Sequence, residues 1–217
     1  MIPGCSRKRD KMSRQAPEAG TEKTEKAAVF LDRDGTIIEE VGYLDTIEQL
    51  KLLPGAAQAI RQLNRAGIPA IMLTNQSGVA RGYFSESLVE LLHQRLRELL
   101  AAESARLDAV YYCPHHPTAG QPPYRRRCHC RKPKPGMVEQ AVVDLSLKNR
   151  RFFVVGDKKT DLELADRIGA DGILVLTGYG KKEKEQRAAD KQMQPDYIAA
   201  DLPQAVQWIL SQLAVGK

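Results

Sequence analysis

The stretch FLDRDGTI, residues 30–37, decides how the rest of the chain is interpreted. It overlaps an apolar run, AAVFLD at 27–32, whose β-branched and aromatic members are typical of a buried strand. Asp32 and Asp34 stand two positions apart, and Gly35 permits a sharp turn. Because residues i and i+2 of an extended segment face the same way, the two carboxylates crowd one place. Mg²⁺ prefers oxygen ligands and would relieve that repulsion, although a surface turn rich in acidic residues also fits the pattern.

Apolar periodicity beyond this stretch predicts helices that alternate with strands. The predicted helices span residues 54–67, 85–100, 136–147, 161–169 and 202–213. The predicted strands span 68–74, 108–113, 151–157 and 172–178, with a short one at 195–199. This order is typical of a parallel sheet covered by helices on both faces, so we expect a three-layer α/β sandwich.

Polar residues follow where the predicted strands end. Thr74 leads into NQSG at 75–78, whose amide and backbone N–H groups suit phosphate oxygens, or simply cap a helix. Asp157 ends another strand and could add a third carboxylate to a metal site, or serve only as an acid at a helix N-terminus. Because the ligand crevice of an open α/β sheet lies at the carboxyl ends of its strands, we expect these groups to converge.

The segment RKPKPG at 131–136 presents two cations beside prolines that stiffen the backbone. A rigidly held Arg131 and Lys132 suit a phosphoryl group. Basic residues also occur in the N-terminal segment, and the net charge is +6. That charge suits anionic small substrates or nucleic acid.

The segment CPHHPTAGQPPYRRRCHC, residues 113–130, holds three of the four cysteines and three of the four histidines. A disulfide fits poorly, because Cys128 and Cys130 are too close to bridge without strain and three clustered thiols leave one unpaired. Cys-x-His followed by Cys-x-Cys offers four ligands for tetrahedral Zn²⁺, but the spacing is not that of a common zinc finger. The spacing alone therefore leaves the zinc site open.

The 217 residues are enough for one domain with a sizeable core. Residues 1–26 are polar and lack a periodic apolar face, so we predict a disordered extension followed by a single domain at 27–217. No apolar run approaches the roughly 18 residues that span a bilayer, and the N-terminus lacks the apolar core of a secretory signal. We therefore expect a cytoplasmic protein.

Taken together, these motifs resemble the haloacid dehalogenase (HAD) superfamily of phosphohydrolases. D-x-D-G-T, a strand that ends in Thr, a Lys and G-D-x-x-x-D follow one another in that order between residue 27 and about residue 177. Within the superfamily, the sequence is similar to the heptose bisphosphate phosphatases. The matching stretches are FLDRDGTI, LTNQSGVARGYF, YYCPHHP, CHCRKPKPGM and VVGDKKTDLELA.

The resemblance implies a HAD-like Rossmannoid fold and a mechanism. Asp32 would attack phosphorus and form an aspartyl-phosphate. Asp34 would protonate the leaving oxygen and then deprotonate the hydrolytic water. Mg²⁺ would be held by Asp32, the backbone carbonyl of Asp34 and Asp157. Thr74 and Lys132 would stabilise the phosphoryl oxygens in the transition state.

The resemblance also implies a substrate site and a structural zinc site. Arg131 would recognise the substrate, for instance through its second phosphate, and Lys158 would lie near the phosphate or the metal. The sugar site would be lined by Glu40, Val41, Gly42, Tyr43, Asn75, Gln76 and Ser77. Zn²⁺ would be bound by Cys113, His115, Cys128 and Cys130, with His116 and His129 as spare histidines. With four protein ligands, the zinc would pin the loop 113–130 rather than activate water.

The implied activity is removal of the 7-phosphate from D-glycero-D-manno-heptose 1,7-bisphosphate, on the way to the ADP- or GDP-heptose precursors of lipopolysaccharide cores or surface-layer glycans. Histidinol-phosphate phosphatase is the nearest rival, and a zinc-bearing nucleic-acid-binding module is a rival from another class. The segments between the first three strands are too short for a lid domain, so specificity is expected from short loops. We expect a monomer that acts on a phosphosugar and binds neither nucleic acid nor membrane.

Overall fold

A computed structural model describes residues 26–187 and 194–214 of the chain. It contains a six-stranded, wholly parallel sheet in the order β3-β2-β1-β4-β5-β6. The strands are β1 (Ala27–Leu31), β2 (Ala70–Asn75), β3 (Ala109–Cys113), β4 (Arg151–Gly156), β5 (Asp171–Val175) and β6 (Tyr197–Ala199). The helices are α1 (Ala56–Arg65), α2 (Gly78–Arg81), α3 (Glu86–Ala102), α4 (Gly136–Asp144), α5 (Lys159–Ile168), α6 (Gly180–Arg187) and α7 (Leu202–Ala214).

Strand β1 lies in the middle of the sheet because its apolar residues are buried on both faces. Val29 and Leu31 pack into the core beneath α1, α3 and α7, whereas Ala28 and Phe30 pack against α4 and α5 on the opposite face. Backbone hydrogen bonding aligns Leu31 with a residue of β2 on one side and of β4 on the other. The predicted three-layer α/β sandwich is thus confirmed.

The chain winds in one direction from β1 to β3 and in the other from β4 to β6. The switch point therefore falls between β1 and β4. In such sheets a crevice opens at the carboxyl ends of the strands on either side of the switch. The residues that follow β1, β2 and β4 are those in which the sequence motifs stand.

The predicted strands and the five predicted helices are confirmed, with ends shifted by a few residues. Two short helices were missed. The segment GKKEKEQR of α6 has no apolar face, and α2 is a single turn of four residues, so neither produces a periodic signal. One helix connects β1 to β2, and two connect β2 to β3, with no additional sheet in either connection of the described chain.

None of the helices in the described ranges is long and apolar enough to cross a membrane. Residues 1–25, which make up nearly all of the predicted disordered extension, lie outside the described residues.

Candidate active site

Asp32 lies immediately after β1, and its carboxylate is oriented by two donors. The backbone N–H of Arg33 donates to Oδ1 at 2.8 Å, and Nζ of Lys132 lies 2.9 Å from the same oxygen. Asp32 is only 6% exposed. Because both contacts fall on Oδ1, the lone pairs of Oδ2 are left for a phosphorus atom or a cation.

Two more carboxylates meet Asp32 at the sheet edge. Asp157 follows β4 and Asp161 lies in the first turn of α5, and the three side chains place oxygen atoms within 4.8 Å of one another. Gly35 has φ +79°, and a Cβ at this position would collide with the carboxylate of Asp157. The glycine of the D-x-D-G motif therefore lets the turn after β1 approach β4 closely.

The three carboxylates fit a divalent cation. Burial, reinforced by the charge of Asp32, raises the pKa of Asp157 to about 8. Oδ2 of Asp157 accepts a hydrogen bond from the backbone N–H of Tyr179 at 2.8 Å, but the buried Oδ1 has no partner among the described residues. A buried carboxylate oxygen without a partner, on a side chain grouped with two other carboxylates, fits the oxygen ligands that Mg²⁺ prefers.

Lys132 is the fully buried cation of this cluster. Its Nζ donates to Oδ1 of Asp161 at 2.6 Å and to the carbonyl of Leu73 at 2.8 Å, in addition to the contact with Asp32. Burial by itself lowers the pKa of Lys132, but the charges of Asp161 and Asp32 outweigh burial and raise it. Lys132 is therefore a fixed cation at the place where the carboxylates converge.

The carboxylate of Asp34 is held on both of its oxygens. Nε and Nη2 of Arg33 donate to Oδ1 at 3.1 and 2.9 Å, and Nε2 of Gln76 donates to Oδ2 at 3.1 Å. The same amide nitrogen of Gln76 lies 2.8 Å from Oγ1 of Thr74. Since the Thr74 hydroxyl accepts this bond, its own proton remains free to donate to a ligand. Nη1 of the same Arg33 lies 3.4 Å from Nε2 of the buried His93.

A cleft of about 360 Å³ opens beside these groups. The predicted substrate residues that line it are Glu40, Gly42, Tyr43, Asn75, Gln76, Ser77, Arg131 and Lys158. Val41 does not line it and instead lines a neighbouring groove at the surface. Gly78, the last residue of the NQSG segment, also lines the cleft, and sequence reasoning missed the other five lining residues: Arg33, Leu44, Phe84, Thr160 and Tyr179.

Several of these residues are tied to the protein itself. Gln76 is 4% exposed and uses its amide on Asp34 and Thr74, as described above. The side chain of Asn75 pairs with the backbone N–H and carbonyl of Lys132 at 3.0 and 3.2 Å, which joins β2 to the RKPKPG segment. Nζ of Lys158 lies 2.7 Å from Oε2 of Glu40.

The four predicted zinc ligands lie together. Sγ of Cys113 is 3.5 Å from that of Cys128 and 3.2 Å from that of Cys130, and Nδ1 of His115 lies 3.4 Å from the Cys130 sulfur. These thiols are free, and the separations far exceed the roughly 2.05 Å of a disulfide. Contacts with the other thiols lower the pKa of Cys130 to about 5, which favours a thiolate. The donor set fits a tetrahedral metal ion.

The two spare histidines have other contacts. Nδ1 of His116 accepts hydrogen bonds from the backbone N–H groups of Thr118 and Ala119, and so shapes the loop. The exposed His129 pairs with Glu139 at 2.8 Å. The same loop holds Arg131, whose Nη1 donates to the carbonyl of His115 at 3.2 Å.

A parallel sheet that gathers three carboxylates and a buried lysine at its carboxyl edge is the arrangement expected of a haloacid dehalogenase-like hydrolase. Two family models agree with this class: a haloacid dehalogenase-like hydrolase model matches residues 29–111, and a HAD-hydrolase-like model matches residues 129–205.

Three relatives that match most of this chain are all named as heptose bisphosphate phosphatases. A D-glycero-D-manno-heptose-1,7-bisphosphate 7-phosphatase of Thermosynechococcus vestitus is 50% identical, over 86% of this chain and 97% of the relative. The D-glycero-beta-D-manno-heptose-1,7-bisphosphate 7-phosphatase of Escherichia coli K12 is 39% identical, over 82% and 93%. The crystal structure of the D,D-heptose 1,7-bisphosphate phosphatase from B. bronchiseptica, complexed with magnesium and phosphate, has a TM-score of 0.74 and 31% identity, covering 86% of this chain and 99% of that one. The chain belongs to the heptose bisphosphate phosphatase family of the haloacid dehalogenase-like hydrolases.

Proposed function

We propose that the protein is a Mg²⁺-dependent phosphatase that removes the 7-phosphate from D-glycero-D-manno-heptose 1,7-bisphosphate. The observation that carries this proposal is the convergence of Asp32, Asp157 and Asp161 with buried Lys132 beside a cleft that Arg131 also lines. Such a site has a carboxylate nucleophile, a place for a cation and fixed positive charge for phosphoryl oxygens. The identity of the sugar in the proposed substrate comes from the names of the relatives.

Asp32 is the proposed nucleophile. Its Oδ1 is engaged by Arg33 N–H and by Lys132, so the carboxylate cannot rotate freely and Oδ2 is presented to phosphorus. Attack forms a bond between this oxygen and phosphorus and breaks the bond to the sugar oxygen. The resulting aspartyl-phosphate divides one difficult hydrolysis into two easier steps.

Asp34 is the proposed general acid and base. With Oδ1 occupied by Arg33 and one lone pair of Oδ2 by Gln76, the remaining lone pair of Oδ2 carries the mobile proton. That proton goes to the leaving sugar oxygen, and Oδ2 then takes a proton from the water that attacks the aspartyl-phosphate. Arg33 and Gln76 keep this oxygen aimed through both steps.

Asp32, Asp157 and the backbone carbonyl of Asp34 would hold Mg²⁺, and the unpartnered Oδ1 of Asp157 is the atom that supports this assignment. The bound cation would screen the anionic nucleophile from the anionic phosphate. The Thr74 hydroxyl proton and the Lys132 ammonium are the proposed partners of the equatorial oxygens, where charge gathers in the transition state.

Substrate recognition is proposed for the cleft residues. Arg131 can form a bidentate contact with a phosphate, and it is anchored to the loop 113–130 through His115. Glu40, Gly42, Tyr43 and Ser77 line the space left for the sugar, while Val41 lines the neighbouring groove. Asn75 and Gln76 act mainly by fixing Lys132 and Asp34, according to their hydrogen bonds.

We assign Zn²⁺ to the Cys113, His115, Cys128 and Cys130 cluster, with a structural role. A full set of protein ligands would leave no position for substrate or water. Because Arg131 and Lys132 directly follow Cys130, pinning this loop fixes both cations.

Three clustered free thiols are typical of a reducing compartment, so we place the enzyme in the cytoplasm. We also propose that the enzyme is a monomer.

A phosphate-release screen in Mg²⁺ tests the proposed function. The substrates are the α and β anomers of D-glycero-D-manno-heptose 1,7-bisphosphate and, as the comparison, histidinol phosphate. The proposal predicts a kcat/KM for at least one heptose anomer well above that for histidinol phosphate. Preference for histidinol phosphate would assign the protein to the rival activity, and no turnover of any phosphate ester would remove the phosphatase proposal.

A further inference from the structure

A second cleft, of about 480 Å³, shares Arg131 with the proposed active-site cleft. Its lining is strongly cationic and includes no aspartate or glutamate. The cations that line it are Arg126, Arg127, Arg131, Lys132, Lys134 and Arg167. The functions proposed above give no role to four of these cations, Arg126, Arg127, Lys134 and Arg167.

Most of this positive charge is not neutralised by the residues that the structure describes. Lys132 is paired with Asp32 and Asp161, but among these residues Arg131 and Lys134 donate only to backbone carbonyls. In the described part of the chain, the exposed side chains of Arg126, Arg127 and Arg167 have no hydrogen bond or ion pair. Like charges that line one concave surface repel one another, and an anion in the cleft removes that repulsion.

We propose that this cleft is a second anion site, separate from the active site, that binds a phosphate group. Guanidinium groups present paired N–H donors that match phosphate oxygens, and arginines supply four of the six cations. The loop that carries Arg126 is ordered by backbone hydrogen bonds with His116, so its cations are presented on fixed backbone. Inorganic phosphate and the phosphate group of a sugar phosphate share the chemistry that the cleft recognises.

Arg131 lines both clefts and couples them, because its guanidinium has to share its N–H donors between an anion on each side. An anion in the second cleft therefore weakens the hold of Arg131 on a ligand in the first, and the coupling is reciprocal. Inorganic phosphate is the product of the proposed reaction, so it would inhibit through two sites. This inference goes beyond the proposed function, and its first test does not depend on catalysis.

The first test maps the reaction of phenylglyoxal with individual arginines of the zinc- and Mg²⁺-loaded protein by mass spectrometry. Inorganic phosphate should slow modification of Arg126, Arg127 and Arg167 several-fold, and should leave Arg125 unchanged. Arg125 is the internal control, because it is exposed in the same loop and lines neither cleft. Equal protection of all four arginines, or protection of none, overturns the proposal.

Glucose 1-phosphate and a single-stranded oligonucleotide, each used in parallel, identify the source of the phosphate group. Protection by glucose 1-phosphate at lower concentration than by inorganic phosphate supports a phosphosugar ligand, and the reverse supports the free ion. Protection by the oligonucleotide alone means that the cleft is a nucleic-acid surface, and the proposal fails.

The second test uses inhibition of turnover by inorganic phosphate. Because phosphate in the second cleft weakens the hold of Arg131 on a ligand in the first, loss of the second site should reduce inhibition. We expect the phosphate concentration that halves kcat/KM to rise several-fold in the double variant Arg126→Ala/Arg127→Ala and to keep the wild-type value in the control Arg125→Ala, with uninhibited turnover unchanged. The wild-type value in the double variant contradicts a second site that is coupled to the first.

Discussion

Nζ of Lys132 lies 2.6 Å from Oδ1 of Asp161, although the two residues are 29 positions apart in the sequence. Both side chains are almost completely buried, at 2% and 1% exposure. The pair joins the segment after the loop 113–130 to the first turn of α5. It therefore fixes the cation of the site relative to β4 and Asp157.

Replacing either member of this pair should destabilise the protein and lower kcat. Lys132→Met leaves two carboxylates buried without their cation, which costs about 3–5 kcal/mol of the free energy of unfolding. Asp161→Asn leaves Lys132 paired with Asp32, so the loss of unfolding free energy should be smaller. In the double variant the two losses should be clearly less than additive, because each single change already breaks the pair. Urea unfolding measures all three, with the exposed Lys134→Met as the control. Additive losses would mean that the two side chains do not interact.

His93 predicts a specific dependence of stability on pH. Burial first, and then the charge of Arg33, lowers its pKa to about 3, so the folded protein keeps this histidine neutral. Below about pH 6.5 the unfolded chain takes up a proton that the folded protein does not, and stability falls as the pH falls. The loss is about 2 kcal/mol at pH 5.

The variant His93→Gln should lose this dependence. Its free energy of unfolding should fall by about 2 kcal/mol less than that of the wild type between pH 7 and pH 5, whereas the exposed His129→Gln should follow the wild type. Equal falls in all three proteins would show that His93 is protonated in the folded state.

Magnesium binding should be coupled to the proton on Asp157. Since burial raises the pKa of Asp157 to about 8, Mg²⁺ has to displace a proton below that pH, and its apparent affinity should rise about tenfold per pH unit up to about pH 8. The increase in Tm caused by Mg²⁺ measures the affinity. It should be absent in Asp157→Asn and unchanged in the exposed Asp45→Asn. Wild-type protection in Asp157→Asn would remove this residue from the ligand set.

Loss of one zinc ligand should loosen the loop 113–130 without unfolding the sheet. Cys128→Ser should bind less than one equivalent of zinc, become sensitive to proteolysis within the loop and lose kcat, because Lys132 and Arg131 depend on the same loop. The control is Cys5→Ser, which changes the fourth cysteine and lies outside the described residues. A full equivalent of zinc in Cys128→Ser would show that the ligand set is wrong.

The sequence was most informative where local chemistry dictates structure. The apolar run of β1, the glycine after D-x-D and the Cys and His spacing each have a physical meaning within a few residues. The parallel order of the strands then brings Asp32 and Asp157 to one edge of the sheet, because β1 and β4 are neighbours.

The sequence was least informative about side chains whose partners come from distant loops. Gln76 was predicted to line the sugar site, but the pairing of its amide with Asp34 and Thr74 was not foreseen. Asp161 was visible as the last residue of G-D-x-x-x-D, yet its pairing with Lys132 depends on the path of a loop that has no periodicity. Tyr179 follows β5 in a segment without any recognised motif, and its backbone N–H holds Asp157.

The most direct test of the account is phosphate release by Asp32→Asn, measured with the heptose bisphosphate anomer that the wild type prefers. The substitution keeps the size of the side chain and removes the nucleophilic oxygen, so turnover should fall by about 10⁴-fold or more, with circular dichroism and zinc content unchanged. Turnover within about tenfold of the wild type, in a preparation free of other phosphatases, would contradict the proposal that this carboxylate attacks phosphorus.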